Sequence, residues 1–253
     1  MKIVSYNVNG IRAAITKGFV PWLAANDFDI VCIQETKAQE EQVDVSELEA
    51  LGYSCFWFSA QKKGYSGVAV FTRIKPNNVI KGQNNEASDF EGRTLQLEFD
   101  NFTLINTYFP SGSSGDDRQE FKYKFLDEYL DFRKSFNTKP LVVVGDYNIC
   151  HREIDIHNPK GLQTTSGFLP QERAWMDTWF SNNLIDTFRA ANGDVKDKYS
   201  WWSYRANARN NNKGWRIDYI SISESLKNNL VSADILADVK HSDHCPIVAE
   251  FKF

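Results

Sequence analysis

Residues 141–148 have the sequence Leu-Val-Val-Val-Gly-Asp-Tyr-Asn, and this stretch decides the fold class. An unbroken apolar run of this length is typical of a strand that is buried on both faces of a sheet. Asp146 and Asn148 follow where the run ends. Because α/β proteins form their active sites where strands deliver polar side chains to one edge, the stretch predicts a layered α/β fold with a site at the strand ends.

Comparable apolar runs of strand length recur along the 253 residues. Between them, the segments 117–136 and 171–183 are predicted to be helices. Fully apolar and alternating runs are mixed, which predicts α and β layers that partly cover both faces of the sheets. Since no linker, repeat or low-complexity tract divides the chain, we expect one domain spanning 1–253. The other predicted strands are 3–5, 30–33, 67–71, 95–99, 102–107, 217–222 and 246–251.

Several of these runs end in polar residues that can bind ions or transfer protons. Asn7 and Glu35 follow the first two runs, and Tyr108 follows the run at 102–107. A single acidic residue after a strand is usually a turn former or a helix cap. Four such endings, counting Asp146 with Asn148, instead predict a shared site.

The turn Ser242-Asp243-His244-Cys245-Pro246 places a carboxylate and an imidazole side by side just before the last strand. Histidine is scarce, with four in the chain. A lone histidine is more often structural, but one beside an aspartate in a turn fixed by proline favours a functional role.

The net charge of −4 argues against a broadly basic protein of the kind that binds nucleic acid. The segment 199–217 nevertheless lacks acidic residues, and its composition predicts a local basic and aromatic surface. The alternative is an ordinary solvated loop flanked by core tryptophans, and burial in the core is the favoured interpretation for Trp202. Arg205, Arg209, Lys213 and Arg216 alternate there with Trp201, Trp202, Tyr204 and Trp215.

Short motifs cover nearly the whole chain, at 7–12 (NVNGIR), 34–37 (QETK), 64–67 (GYSG), 91–93 (EGR), 108–110 (YFP), 145–148 (GDYN), 166–168 (SGF), 214–219 (GWRIDY) and 242–246 (SDHCP). In order and spacing they resemble the exonuclease III type of apurinic/apyrimidinic endonucleases within the endonuclease/exonuclease/phosphatase superfamily. The resemblance implies a four-layer α/β sandwich of two facing mixed sheets, DNase I-like, with the active site at one edge. It also implies hydrolysis of phosphodiester bonds with Mg²⁺, for which Mn²⁺ could substitute.

The resemblance further implies roles for single residues. Asp146 is the candidate general base for the attacking water, and Asn148 would orient that water or the phosphate. His244 would contact the phosphate while Asp218 holds its ring, and Tyr108 would add a phenolic donor. Glu35 is the first choice of metal ligand, because Mg²⁺ takes oxygen ligands and keeps several waters. The remaining candidates around the metal are Asn7, Asp146, Asn148, Asp243 and His244.

For DNA, the resemblance places a first group near the backbone and a loop near the lesion. A small apolar pocket could admit a deoxyribose that lacks a base and reject an intact nucleotide. Three departures, Asn9, Ser111 and Leu162, stand where some members have Asp, Asn and Asn, and they weaken the expected second metal site and two phosphate contacts. The residues expected near the DNA backbone are Arg12, Lys37, Tyr65 and Arg93. Those expected near the lesion are Arg209, Trp201, Trp215 and Ile217. The last three match positions that form the wall of the pocket.

These expectations describe a base excision repair enzyme that incises duplex DNA 5′ to abasic sites and also acts on 3′ ends. Its partner would be double-stranded DNA with such sites or ends, with no membrane involved. We expect a monomer in the cytoplasm, associated with the nucleoid in a prokaryote, or in the nucleus of a eukaryote, since no signal-peptide pattern or long apolar segment is present.

Two alternatives remain open. One is another superfamily phosphoesterase, such as a phosphoinositide phosphatase, a sphingomyelinase or a secreted DNase I-like nuclease. The other is a catalytically silent DNA-binding protein on the same fold. The motifs QETK, WWSYR and GWRIDY favour the repair branch over the first, and the intact set of acidic, amide and imidazole residues argues against the second.

Overall fold

In the computed structural model, which describes residues 1–136 and 139–253, residues 141–146 form a strand in the middle of one of two sheets, and residues 147 and 148 follow the end of this strand. Each sheet has six strands within these ranges. The first, in spatial order, contains β11 (Leu230–Ile235), β12 (Ile247–Phe251), β1 (Lys2–Asn7), β2 (Ile30–Gln34), β4 (Val68–Thr72) and β3 (Ser54–Phe58). The second contains β5 (Asn78–Lys81), β6 (Thr94–Glu98), β7 (Thr103–Tyr108), β8 (Leu141–Asp146), β10 (Asp218–Ser223) and β9 (Leu184–Asp186).

Both sheets are mixed, and each is built around one parallel pair. β1 runs parallel to β2, and β7 runs parallel to β8, while the other pairings are antiparallel. Gly145 is needed near the end of β8, because a Cβ atom there would lie 1.8 Å from the carbonyl oxygen of Thr107 on β7. Its φ of 149° also lies in a region that side chains disfavour.

Helices cover the outer face of each sheet. Val142 and Val144 face the core between the sheets, whereas Leu141 and Val143 pack outward with residues of the helices at 116–134 and 170–181. Burial on both faces explains the unbroken apolar run. The helices are α1 (Ile11–Thr16), α2 (Phe19–Ala24), α3 (Ser46–Ala50), α4 (Glu86–Phe90), α5 (Asp116–Lys134), α6 (Pro170–Ser181) and α7 (Thr187–Asn192). The predicted four-layer α/β sandwich of two facing mixed sheets is confirmed.

The predicted strands and both long helices are present, and their ends differ from the prediction by at most two residues. One shift bears on the site, since β10 begins at Asp218 and leaves Ile217 in the preceding loop. Sequence analysis missed the strands β3, β5, β9 and β11 and the short helices, because their burial is partial or their length gives too little periodicity. Within the described ranges, no helix combines the length and apolar composition needed to cross a membrane.

A buried polar contact joins the two sheets. Gln34 on β2 donates from Nε2 to Oδ1 of Asn106 on β7 at 2.6 Å. The Nδ2 atom of Asn106 in turn donates to the carbonyl oxygens of Ile33 and Ala69, at 3.0 and 2.9 Å. Both side chains are fully buried, so each needs its partner to replace lost water.

We predict that Asn106→Ala lowers the free energy of unfolding by about 2 kcal/mol, because it removes three hydrogen bonds between fully buried groups of the two sheets. Urea denaturation followed by circular dichroism measures this change. The exposed Asn101→Ala is the matched control and should change stability by less than about 0.5 kcal/mol. Equal stability of the two variants would contradict the assigned contact.

Candidate active site

The ends of strands from both sheets converge at one edge of the sandwich. Parallel pairing sets Asn7 beside Gln34 at the end of β1 and β2, and Tyr108 beside Asp146 at the end of β7 and β8. Asp218 starts β10 opposite Asp146. The predicted strand-end residues therefore do lie together.

Asn7 connects the two sheets at this edge. Its Nδ2 atom donates to Oε1 of Glu35 at 2.8 Å and to Oδ2 of Asp146 at 2.8 Å. Its Oδ1 atom accepts from the backbone N–H of Asn9 at 2.9 Å. Asn7 is fully buried, and its amide places two carboxylates of different sheets next to each other.

Asp146 is buried and held by several donors. Oδ1 accepts from the backbone N–H of Asn148 at 2.8 Å, and Oδ2 accepts from the Asn148 side chain at 3.2 Å. Burial, and then the negative charges of Asp218 and Glu35, raise the pKa of Asp146 to about 7, although His244 opposes the shift. The carboxyl group can therefore gain or lose a proton near neutral pH.

His244 lies between two carboxylates. Its Nδ1 atom is 2.9 Å from Oδ2 of Asp218, and its Nε2 atom is 3.8 Å from Oδ2 of Asp146. Ser200 donates from Oγ to the same oxygen of Asp218 at 2.6 Å. Burial by itself lowers the pKa of His244, but the charges of Asp218 and Asp146 outweigh it and raise the pKa to about 10. The ring is a cation at neutral pH.

Tyr108 lines the same cavity, beside Asp146. Burial, and next the charge of Glu35, raise its pKa well above the ordinary value, so the phenol stays protonated and can donate a hydrogen bond. Arg93 supports it, since its guanidinium lies 4.8 Å from the ring centroid and its NH1 donates to the Tyr108 carbonyl oxygen at 2.8 Å.

A cavity of about 400 Å³ opens beside this cluster. Trp201 and Trp215 meet edge to face, with ring centroids 6.0 Å apart, and form its apolar wall together with Ile217. Gly167 packs against this wall, since a Cβ atom there would lie 3.1 Å from the Trp215 ring, and hydroxyl groups also line the cavity. These hydroxyls belong to Ser111, Ser113, Thr165 and Ser166. Trp202 is buried, as predicted.

Glu35, Asp146 and His244 form a group that could hold a metal ion, since one ligand atom from each lies within 4.8 Å of the others. Two adjacent carboxylates, one with a raised pKa, are a site that a cation would stabilise. Asp243 borders the group without belonging to it, because its oxygens accept from Asn9 Nδ2 and Trp201 Nε1, at 2.9 and 3.0 Å.

The residues expected at the DNA backbone fall into two groups. Arg12 is exposed, Tyr65 is half-buried, and the Lys37 ammonium lies 2.7 Å from Oε2 of Glu35. Arg93 differs from the expectation of a surface cation, since it is 1% exposed and paired with Glu91. Arg209, expected near the lesion, spans the carbonyl oxygens of Ala237, Val239 and Ser242. Such inward donation supports the chain rather than leaving a free cation.

Sequence reasoning missed three residues around the site. Ser200 orients Asp218, Arg118 donates to the Tyr65 hydroxyl at 3.0 Å, and Lys122 donates to the Asn148 carbonyl oxygen at 2.8 Å. Arg118 and Lys122 lie on α5 four residues apart, a spacing that the exposed face of any helix shows. The sequence contains no signal that separates them from surface cations.

A two-sheet α/β sandwich with carboxylates, an amide and an imidazole at one shared edge defines the class of hydrolases with a DNase I-like fold. The chain belongs to the endonuclease/exonuclease/phosphatase family, which matches residues 4–246. It is 43% identical over 249 residues to the exodeoxyribonuclease of Bacillus subtilis (strain 168), with 98% of both chains covered.

Solved structures agree with this assignment. An AP endonuclease from Archaeoglobus fulgidus matches with a TM-score of 0.90 and 27% identity, covering 100% of both chains. The 3′ phosphatase NExo from Neisseria, bound to a product DNA hairpin, matches with a TM-score of 0.91 and 26% identity, again covering 100% of both chains.

We predict that His244, in protein without divalent ions, keeps its proton until the pH approaches about 10. Asp218→Asn should lower this pKa because it removes the negative charge 2.9 Å from Nδ1. Since the folded-state pKa exceeds the ordinary value of 6.5, the stabilisation from His244 is complete below pH 6.5 and is lost as the pH rises through about 10. Nitrogen-15 NMR titration of the unaltered protein and of the variant measures this pKa. A His244 pKa below 6.5 would exclude the assigned ion pair.

Proposed function

We propose that this protein is a Mg²⁺-dependent DNA repair phosphodiesterase, which incises duplex DNA 5′ to abasic sites and also removes nucleotides or blocking groups from 3′ ends. The observation that carries the proposal is the position of Asp146. Its carboxyl group, with a pKa of about 7, lies between the amides of Asn7 and Asn148 and faces the His244 cation at the mouth of an apolar pocket. The activities named for the similar proteins support the same substrate class.

Asp146 is the proposed general base. A carboxylate whose pKa lies near the working pH accepts a proton from a water molecule most effectively. The water oxygen then attacks phosphorus, and the bond from phosphorus to the O3′ atom on the 5′ side of the lesion breaks. The O3′ oxygen leaves with the bonding electrons and takes up a proton from solvent, which gives a 3′ hydroxyl end, while the phosphate stays on the abasic nucleotide. Asn148 donates to Asp146 from its own backbone and side chain, so its amide is at the right place to orient the water or a phosphate oxygen.

His244 and Tyr108 supply the proposed positive charge and hydrogen bonds at the phosphate. The imidazolium, fixed by Asp218, would donate to a non-bridging oxygen as negative charge develops in the transition state. Tyr108, held as a protonated phenol, would also donate to the phosphate. Preorganised donors of this kind need no rearrangement during the reaction.

Glu35 is the proposed main metal ligand, with Asp146 beside it. His244 belongs to the same group of side chains but, as an imidazolium, would face the phosphate rather than bind the ion. When bound there, Mg²⁺ would neutralise charge on the phosphate, and Mn²⁺ could replace it because both ions take oxygen ligands. Asn7 and Asp243 are proposed as bordering residues that orient the ligands rather than as first ligands, since Asn7 donates to Glu35 and Asp146, and Asp243 accepts from Asn9 and Trp201.

Trp201, Trp215 and Ile217 are proposed to receive the abasic deoxyribose. Their apolar wall is adjacent to the catalytic cluster, and an intact nucleotide would have to place a base in the same volume. Arg12, Lys37 and Tyr65 are proposed to contact the DNA backbone, which gives affinity without sequence preference. For Arg93 and Arg209 we propose a supporting role behind this surface. We further propose a single domain that acts as a monomer, in the cytoplasm of a prokaryote or the nucleus of a eukaryote.

The decisive measurement is incision of a labelled duplex that carries one abasic-site analogue, with and without Mg²⁺, beside an undamaged duplex with a recessed 3′ end. Asp146→Asn should lower kcat about 10²- to 10⁴-fold, because the amide cannot accept the proton. The exposed Asp131→Asn is the control and should retain full activity. If neither duplex is cut by the unaltered protein, the substrate is not DNA, and lipid or inositol phosphoesters become the next candidates.

Metal binding can be tested without turnover. Glu35→Gln should weaken the affinity for Mg²⁺ by at least about tenfold, because it removes the ligand charge nearest the proposed ion. Isothermal titration calorimetry with Mg²⁺ alone measures the change, and the exposed Glu41→Gln should leave the affinity as it is. Unchanged binding by Glu35→Gln would remove Glu35 from the ligand set.

A further inference from the structure

A buried ion pair beneath the cavity has no part in the chemistry described so far. Lys122 on α5 and Glu172 on α6 are both 0% exposed, and Nζ lies 2.5 Å from Oε1. A buried ion pair contributes little net stability, because desolvation of the charges offsets their attraction. Apolar side chains would pack α5 against α6 as well, so the pair calls for another explanation.

Glu172 also accepts at Oε1 from the Gln119 side chain at 3.1 Å, and the other hydrogen bonds of the pair join it to backbone groups around the active site. Lys122 donates from Nζ to the carbonyl oxygen of Asn148 at 2.8 Å. Glu172 accepts at Oε2 from the backbone N–H of Gly167 at 2.6 Å and of Leu169 at 3.0 Å. One end of the pair thus holds the Asn148 segment, and the other holds the pocket wall.

Both held positions have positive φ angles, which a glycine adopts freely but which need support at Asn148. Asn148 has a φ of 53°, and Gly167 has a φ of 94°. A left-handed conformation costs free energy in a residue with a side chain, and it persists when surrounding contacts determine it. At Asn148 this conformation directs the side-chain amide back to Oδ2 of Asp146 and to the Phe109 carbonyl oxygen, at 3.2 and 3.0 Å.

The same two segments also touch each other. Gly167 accepts at its carbonyl oxygen from the backbone N–H of Cys150 at 2.7 Å. A Cβ atom at Gly167 would lie 3.1 Å from the Asn148 carbonyl oxygen, the atom that Lys122 binds. A shift of either segment would therefore move the other.

We propose that Lys122 and Glu172 are a positioning pair, which fixes the Asn148 amide against Asp146 and sets the pocket wall at Gly167. The kinetic part of this proposal rests on the function proposed above. Neither residue touches substrate, so both act through Asn148 and Gly167. The pair places two charges at a position where apolar packing alone would suffice for the fold.

The test compares Lys122→Met with the double variant Lys122→Met/Glu172→Gln. The single variant leaves a buried carboxylate without its cation and should lower the melting temperature, whereas the double variant removes that charge and should recover much of it. Both lack the donor to the Asn148 carbonyl oxygen. Both should therefore lose about 10- to 100-fold in kcat, with KM largely unchanged. Lys124→Met, at an exposed position of the same helix, is the matched control.

Two further measurements separate positioning from folding. In the Asn148→Ala background, loss of Lys122 should cost little additional kcat, because the group that it positions is already absent. Hydrogen exchange followed by mass spectrometry should show faster exchange at 148–150 and 167 in the double variant, without faster exchange throughout the chain.

Recovery of kcat together with melting temperature in the double variant would overturn the proposal, as would unchanged exchange in those segments. Fully additive losses of kcat with Asn148→Ala would also overturn it. The exchange result does not depend on the substrate. If the unaltered protein fails to cut DNA, the proposed function is wrong. Faster hydrogen exchange at 148–150 and 167 in the double variant would still support the positioning pair.

Discussion

The amide of Asn7 reaches from the first strand of one sheet to Asp146 at the end of a strand in the other, at 2.8 Å. The same nitrogen donates to Glu35, so one neutral group holds two carboxylates that would otherwise repel each other across the space between the sheets. This contact fixes the separation of the strand ends. The cavity, the metal-binding group and the reach of His244 all depend on that separation.

Charge balance determines the chemistry at this edge. Burial and two neighbouring carboxylates raise the pKa of Asp146 to about 7, so this carboxyl group can gain or lose a proton near neutral pH. The charges of Asp218 and Asp146 keep His244 positively charged. A base and a cation with these opposite properties lie 3.8 Å apart, from Oδ2 of Asp146 to Nε2 of His244. Hydrolysis of a phosphate ester needs both, since the attacking water must lose a proton where negative charge is also developing.

Packing behind the site explains why several cations direct their charged groups inward. Arg93 lies against the ring of Tyr108, Arg209 gathers three carbonyl oxygens, and Lys122 is sealed beneath Asn148. A chain with a net charge of −4 can thus keep a limited set of exposed cations around its cavity. The buried ones maintain the shape of the surface that those cations and the tryptophans form.

The sequence alone determined the layered α/β class and the strand-end residues, because a run such as 141–148 can be buried on both faces only within a covered sheet. Through the resemblance to the family, the motifs likewise indicated Asp146, Asn148, Asp218 and His244. Only the tertiary structure decided which cations face inward, and it alone revealed Ser200, Arg118 and Lys122. Their partners are distant in the chain, and hydrogen bonds between distant segments leave no periodic pattern in the sequence. Burial and hydrogen-bond geometry arise only when the sheets and helices pack. They decide whether a charged side chain supports the backbone behind the site or lies at the surface of the site.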